Sequence, residues 1–181
     1  HHMAGNLSVE TCANVFCGSI QASSNYGVGT DGRIGLYVDE KDRAWTSSSS
    51  ANDSQAVTIE VANDGGDPNW HVSDKALEST IKLCVDICQR NGIEKLNFTG
   101  NATGNLTQHN YFAATDCPGP YLKSKFSYIA DEVNKRLGSS GSSETTSTTF
   151  TPYLVKITAD VLNVRKGAGT SFDVTTTVKK N

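Results

Sequence analysis

Residues 56–92 read AVTIEVANDGGDPNWHVSDKALESTIKLCVDICQRNG, and the order of patterns in this stretch decides the fold. Ala56-Val57-Thr58-Ile59-Glu60-Val61 is a short β-branched run of the kind that fills a buried strand. After a Gly/Asp/Pro-rich loop, Ser73 or Asp74 supplies a side-chain oxygen that caps a helix. Along that helix Leu77, Ile81, Cys84, Val85 and Cys88 recur on one face, and Asn91-Gly92 ends it. A further strand is expected over residues 95–98. Strand, helix and strand in succession predict an α/β architecture, a central, mostly mixed sheet flanked by helices.

Working outward, Ser8 caps a helix that runs through about Phe16 and stops at Gly18, and Thr30-Asp31-Gly32 joins two strand-like runs into a hairpin. After Pro118 and Pro120 a last helix carries Leu122, Phe126, Ile129, Val133 and Leu137 inward before Gly138. Residues 138–151, GSSGSSETTSTTFT, have almost no core-forming side chains and read as a flexible linker. The predicted organisation is a first domain over 1–137, the linker over 138–151, and a β-branched piece over 152–181. That piece is too short to build a core alone and is expected to be incomplete.

With 36% hydrophobic and 19% charged residues among 181, the composition is that of an ordinary globular protein. No stretch approaches the roughly 18 apolar residues of a membrane span. A formal net charge of -3 and the lack of a Lys/Arg run disfavour nucleic acid and anionic membrane surfaces as partners. The five cysteines cannot all pair, so at least one is free or on a metal. Cys84 and Cys88, four apart on the central helix, read as small core hydrophobes.

His109 and Cys117 are separated by seven residues, and Pro118-Gly119-Pro120 follows at once. Such a loop can bring both donors to one ion, although a polar turn histidine and a buried thiol would fit the same residues. His1-His2-Met3 has two readings as well, a purification-tag remnant or part of a site.

Four segments in order carry a resemblance. His1-His2-Met3-Ala4 before a capped helix resembles the H-x-x-A opening of the amidase domain shared by phage lysozyme-type amidases, bacterial autolysins and peptidoglycan recognition proteins. Asn25-Tyr26-Gly27 before Thr30-Asp31-Gly32 looks like its tyrosine strand and D-G hairpin. Val57-Thr58-Ile59-Glu60-Val61 looks like its buried strand ending in an acidic residue, and His109 through Cys117 and Pro118 looks like its H-x7-C-P segment. Together they span almost all of residues 1–137, and they favour a built site over a tag remnant at His1.

The resemblance implies a zinc ion on His1, His109 and Cys117, with His2 left out. A strand preceding His1, which positions this histidine in relatives, is expected to be missing from the sequence. A peptide-bond hydrolase also needs a base and donors for the oxyanion. Glu60, costly to bury unpaired in an apolar strand, is placed by the resemblance as general base. Tyr26 is placed with its hydroxyl near the bound water or the carbonyl oxygen, against the plainer reading of a half-buried strand aromatic. Thr115 falls where relatives carry a lysine or threonine near the metal. One departure is Thr46 after Trp45, where relatives often have a histidine; Trp70 and His71 read either as a groove wall or as local packing.

Residues 153–167, with Leu162-Asn163-Val164-Arg165, resemble the opening of a bacterial SH3-like wall-binding domain. The implied function is hydrolysis of the amide between N-acetylmuramic acid and L-alanine in peptidoglycan, in the cell wall. A non-catalytic peptidoglycan-binding module and a zinc peptidase acting within the stem peptide are the competing readings. Oligomeric state stays open.

Overall fold

Ser8, Ser73 and Gly92 act where the local patterns place them. In a computed structural model that describes residues 1–139 and the backbone of residues 161–165 and 174–179, the Ser8 hydroxyl accepts from the Thr11 N–H at 3.2 Å and starts α1 (Val9–Phe16). The chain then forms β1 (Tyr26–Val28), β2 (Ile34–Leu36), α2 (Ser50–Asp53), β3 (Ile59–Val61), α3 (Asp74–Arg90) and α4 (Gly119–Ser139). Ser73 caps α3 by accepting from the Ala76 N–H at 3.1 Å, and beyond its end Gly92 takes the left-handed φ of 65° that a side chain would resist.

The sheet is mixed, in the order β2-β1-β3. β1 and β2 pair antiparallel across the hairpin, whose turn at Gly32 has a φ of 84°; β1 and β3 pair parallel. Outside β3 the first residues continue the sheet: His2 bridges Val61 in parallel, and the Val61 N–H donates to the His1 carbonyl at 3.2 Å.

Strand alternation sorts the side chains onto two faces. Val28 and Val61 face the core, where they meet Leu77, Ile81, Cys84 and Cys88 of α3 and Leu122, Phe126 and Val133 of α4. Tyr26 and Ile59 pack against the same core. The opposite face carries Gly27 and Glu60, aligned with each other in the β1–β3 register. Here Tyr37 lies where a side chain on Gly27 would go, and its hydroxyl donates to the Val9 carbonyl of α1 at 2.9 Å. Glycine is required at this position because the aromatic ring fills the space. Between the two long helices, Arg136 of α4 makes two bonds to the Glu78 carboxylate of α3, at 2.9 and 2.8 Å.

Three expectations change. The strand predicted over residues 95–98 does not form; the Leu96 N–H and C=O are both met, at 2.8 Å each, by the side-chain amide of Asn134 on α4. A side chain thus satisfies the backbone groups that a neighbouring strand would have taken. The run 56–61 contributes only Ile59–Val61 as a strand, because the Thr58 N–H is bound at 2.9 Å by the Asn25 side chain. The last helix continues two residues into the expected linker, to Ser139. Residues 140–151 lie outside the described residues.

All five cysteines are free, with Cys12, Cys84 and Cys88 buried. The chain divides into two units, His1–Ser143 and Glu144–Asn181. In the second, β4 (Val161–Arg165) pairs antiparallel with β5 (Val174–Lys179).

Candidate active site

Three backbone arrangements deliver the candidate ligands. His1 is held in the sheet by bonds to both sides of Glu60: its nitrogen donates to the Ile59 carbonyl at 2.9 Å, and its carbonyl accepts from Val61. Because His2 is in register with Val61, His1 falls beside Glu60 and points to the same face. His109 opens a short 3-10 turn, His109–Tyr111, closed by the Phe112 N–H donating to the His109 carbonyl at 2.9 Å. Cys117 sits in the turn that leads into α4, where its N–H donates to the Thr115 hydroxyl at 3.2 Å. In the same turn the Gly119 N–H donates to the Asp116 carbonyl at 2.8 Å.

These elements converge. One donor atom from each of His1, His109 and Cys117 lies within 4.8 Å of the others, and among the described residues this is the one such group of three or more. His1 Nδ1 is 3.7 Å from the Cys117 sulfur and 3.8 Å from Glu60 Oε1, and the His1 and His109 rings are 4.4 Å apart. His2 points elsewhere, edge-on to Trp70 at 5.3 Å. Two imidazoles and one thiol are a donor set that suits zinc with a position left open for substrate. Buried polar atoms without partners, His109 Nε2 and Glu60 Oε2, belong to this same group. The residues present therefore fit a zinc ion.

Burial sets the protonation of these groups. It lowers the pKa of His109, favouring the neutral imidazole a metal needs, and raises that of the Cys117 thiol, whose proton a metal must displace. Burial also pushes the Glu60 carboxyl up to about 7. A cavity of about 720 Å³ opens beside His1 and His109, with Asn52, Gln55, Asn105 and Phe112 also on its walls.

The structure separates Tyr26 from this group. Its side chain lies on the core face of the sheet, opposite Glu60, and its hydroxyl donates to Glu40 Oε1 at 2.6 Å with the Arg90 guanidinium 3.4 Å away. Alternation along β1 is the physical reason, since Gly27 takes the face that Glu60 shares. Thr115 stays near the cluster and accepts from the Cys117 backbone. Thr46 is occupied by structure: its hydroxyl donates to the Ser23 carbonyl at 2.6 Å. Trp70 and His71 are tied into their loop, with Asn63 donating to the Trp70 carbonyl at 2.7 Å and His71 Nδ1 lying 2.6 Å from Asp64. Sequence reasoning missed Asp53 as a buried carboxylate bound by the loop at Thr46 and Ser47, because nothing in its Ser-rich surroundings distinguishes it from a solvated loop aspartate.

A sheet edge that gathers two imidazoles, a thiol and a buried carboxylate defines the class, an α/β hydrolytic protein with a metal-competent site. The profile of the N-acetylmuramoyl-L-alanine amidase family matches residues 1–120, and the chain belongs to that family. It is a peptidoglycan hydrolase. Among solved structures, N-acetylmuramoyl-L-alanine amidase LysC from Clostridium intestinale URNW is similar, at 20% identity and a TM-score of 0.49, over 71% of this chain and 80% of that one. No functionally curated protein matches. Among the described residues no helix is long and apolar enough to cross a membrane.

Proposed function

We propose that the chain is a zinc-dependent amidase that separates the lactyl group of N-acetylmuramic acid from L-alanine, with His1, His109 and Cys117 as ligands and Glu60 as general base. The convergence of the three donors beside Glu60 carries this reading. When bound, zinc would supply the Lewis acidity that polarises the amide carbonyl and makes water acidic near neutral pH.

The chain's own residues do the rest. Glu60 takes a proton from the attacking water at Oε2, which no other group engages. As the C–N bond breaks, the same carboxyl returns that proton to the leaving amine. A pKa of about 7 suits a group that must both accept and release a proton near neutrality. Thr115 shapes the Cys117 turn that aims the sulfur at His1.

We read residues 152–181 as belonging to an SH3-like wall-binding unit that follows the Ser/Thr-rich segment after α4. The antiparallel pairing of β4 with β5 supports this. Such a unit would raise the effective concentration of the catalytic domain at its polymer, and the enzyme would act as an endolysin or autolysin in the cell wall, outside the membrane.

Incubation with purified muropeptides, followed by mass spectrometry, tests the assignment. Free stem peptides with an L-alanine amino terminus are expected; cleavage within the peptide, or intact muropeptide, would overturn it.

A further inference from the structure

His1 and His2 are neighbours in an extended segment, so their side chains leave the sheet edge on opposite sides. His1 turns toward Glu60 and Cys117, with Nδ1 at 3.8 Å and 3.7 Å from them. His2 turns the other way and meets Gly119, two residues beyond Cys117 at the start of α4. The turn that carries the sulfur therefore touches both histidines, one through Cys117 and one through Gly119.

The second contact is tight. Gly119 has a left-handed φ of 79°, and a Cβ placed there would lie 3.1 Å from Cε1 and Nδ1 of His2 and 3.1 Å from Cβ of Trp70. Glycine is what lets the turn close on the ring. Behind the ring, Trp70 stands edge-on at 5.3 Å and holds a left-handed φ of 53°, which costs energy for a residue with a side chain. Asn63, fully buried, donates to the Trp70 carbonyl at 2.7 Å, and the Trp70 N–H donates to the Gly66 carbonyl at 2.9 Å. The Met3 N–H donates to the Val61 carbonyl at 2.9 Å and keeps the His2 backbone in the sheet. Pro118, between Cys117 and Gly119, is fully buried, and the Tyr121 N–H of α4 donates to the Asn69 carbonyl at 3.1 Å. Sheet edge, loop and turn thus meet at one imidazole.

We propose that His2 is a positioning residue for Cys117. Its ring, backed by Trp70, is the stop on which Gly119 seats, and this sets how near the sulfur comes to His1. The inference rests on the reading of His1 and Cys117 as ligands of one ion. His2 does not bind that ion; it acts through the turn. Groups that hold a ligand in place matter to metal affinity nearly as much as the ligand itself.

The test uses the full chain with His2→Ala, His2→Phe and Gly119→Ala. Competition with a chromogenic chelator should show zinc affinity lowered about 10–100-fold in His2→Ala and Gly119→Ala. His2→Phe keeps a ring against Gly119 and should stay close to the parent. A second readout needs no metal. Alkylation of the metal-free protein, followed by mass-spectrometric peptide mapping, should show Cys117 reacting faster in His2→Ala while the buried Cys12, Cys84 and Cys88 stay protected and the exposed Cys17 serves as reference. Unchanged Cys117 labelling in a folded His2→Ala protein would overturn the inference, as would unchanged zinc affinity where the parent binds zinc. So would an equal loss in His2→Phe and His2→Ala, or a rise in labelling shared by all the buried cysteines, which marks general loosening. If His2→Ala does not fold, Gly119→Ala decides by the same two readouts. Absence of zinc binding in the parent, with selective exposure of Cys117 in His2→Ala, would remove the ligand reading and leave the positioning of Cys117 standing.

Discussion

His1 Nδ1 lies 3.7 Å from the sulfur of Cys117, across 116 positions of sequence. The contact joins a sheet edge to a turn that precedes α4, and His109 closes the group from a third element. Each donor is held by its own backbone bonds, so losing one should leave the other two in place.

Cys117→Ser is therefore expected to keep its fold and lose its metal. Hydroxyl oxygen is a far poorer zinc donor than thiolate. Metal analysis after dialysis should find zinc in the parent and little in the variant, and amidase activity should fall with it. Treatment of the parent with a strong chelator should abolish activity, and added zinc should restore it. Full activity in metal-free protein would rule out the zinc assignment.

Glu60→Gln separates chemistry from binding. The amide is close in shape to the buried carboxyl and cannot serve as base, so zinc content should persist while kcat drops about 10²–10⁴-fold. Substrate affinity should change little. A variant that turns over at the parental rate would exclude Glu60 as the base.

Tyr26→Phe should act on stability rather than on rate. The lost hydroxyl bonds Glu40 beside Arg90, on the face of the sheet away from Glu60. Its removal is expected to cost about 1–2 kcal/mol in denaturant unfolding, with kcat close to the parental value. A large fall in kcat at unchanged stability would restore Tyr26 to the chemistry.

Glu40 gives a pH signature. Burial alone would raise its pKa, but bonds from Arg90, Tyr26 and Asn91 outweigh that and hold it at about 2. Because the folded value lies below the unfolded one of about 4.3, the carboxylate stabilises the fold above that pH. This contribution fades as pH falls toward 2. Thermal midpoints of the parent and of Glu40→Gln should differ most near neutrality and draw together through this window. A gap that stays constant from pH 6 to about pH 2 would contradict the ion-pair account.

Part of the site is legible in the amino-acid sequence. His109, Cys117, His1 and Glu60 stand in motifs whose order is informative, and the fold gathers all four. Tyr26 stands in such a motif too, yet it faces the other way. Its placement depends on the residue beside it in register, which motif spacing does not report.

What the amino-acid sequence determined by itself is what neighbours in the chain can encode. Ser8 and Ser73 as caps, the helical spacing of Leu77, Ile81, Cys84 and Cys88, and the Thr30-Asp31-Gly32 turn all act within a few residues of themselves. Tertiary structure alone decided which distant group satisfies each polar atom. Asn134 took the backbone of Leu96, and the expected strand does not form; Glu40 took the hydroxyl of Tyr26; Asp53 took the backbone N–H groups of Thr46 and Ser47. A buried donor or acceptor must find a partner, and when that partner lies 38 positions away, as Asn134 does from Leu96, only the folded chain selects it.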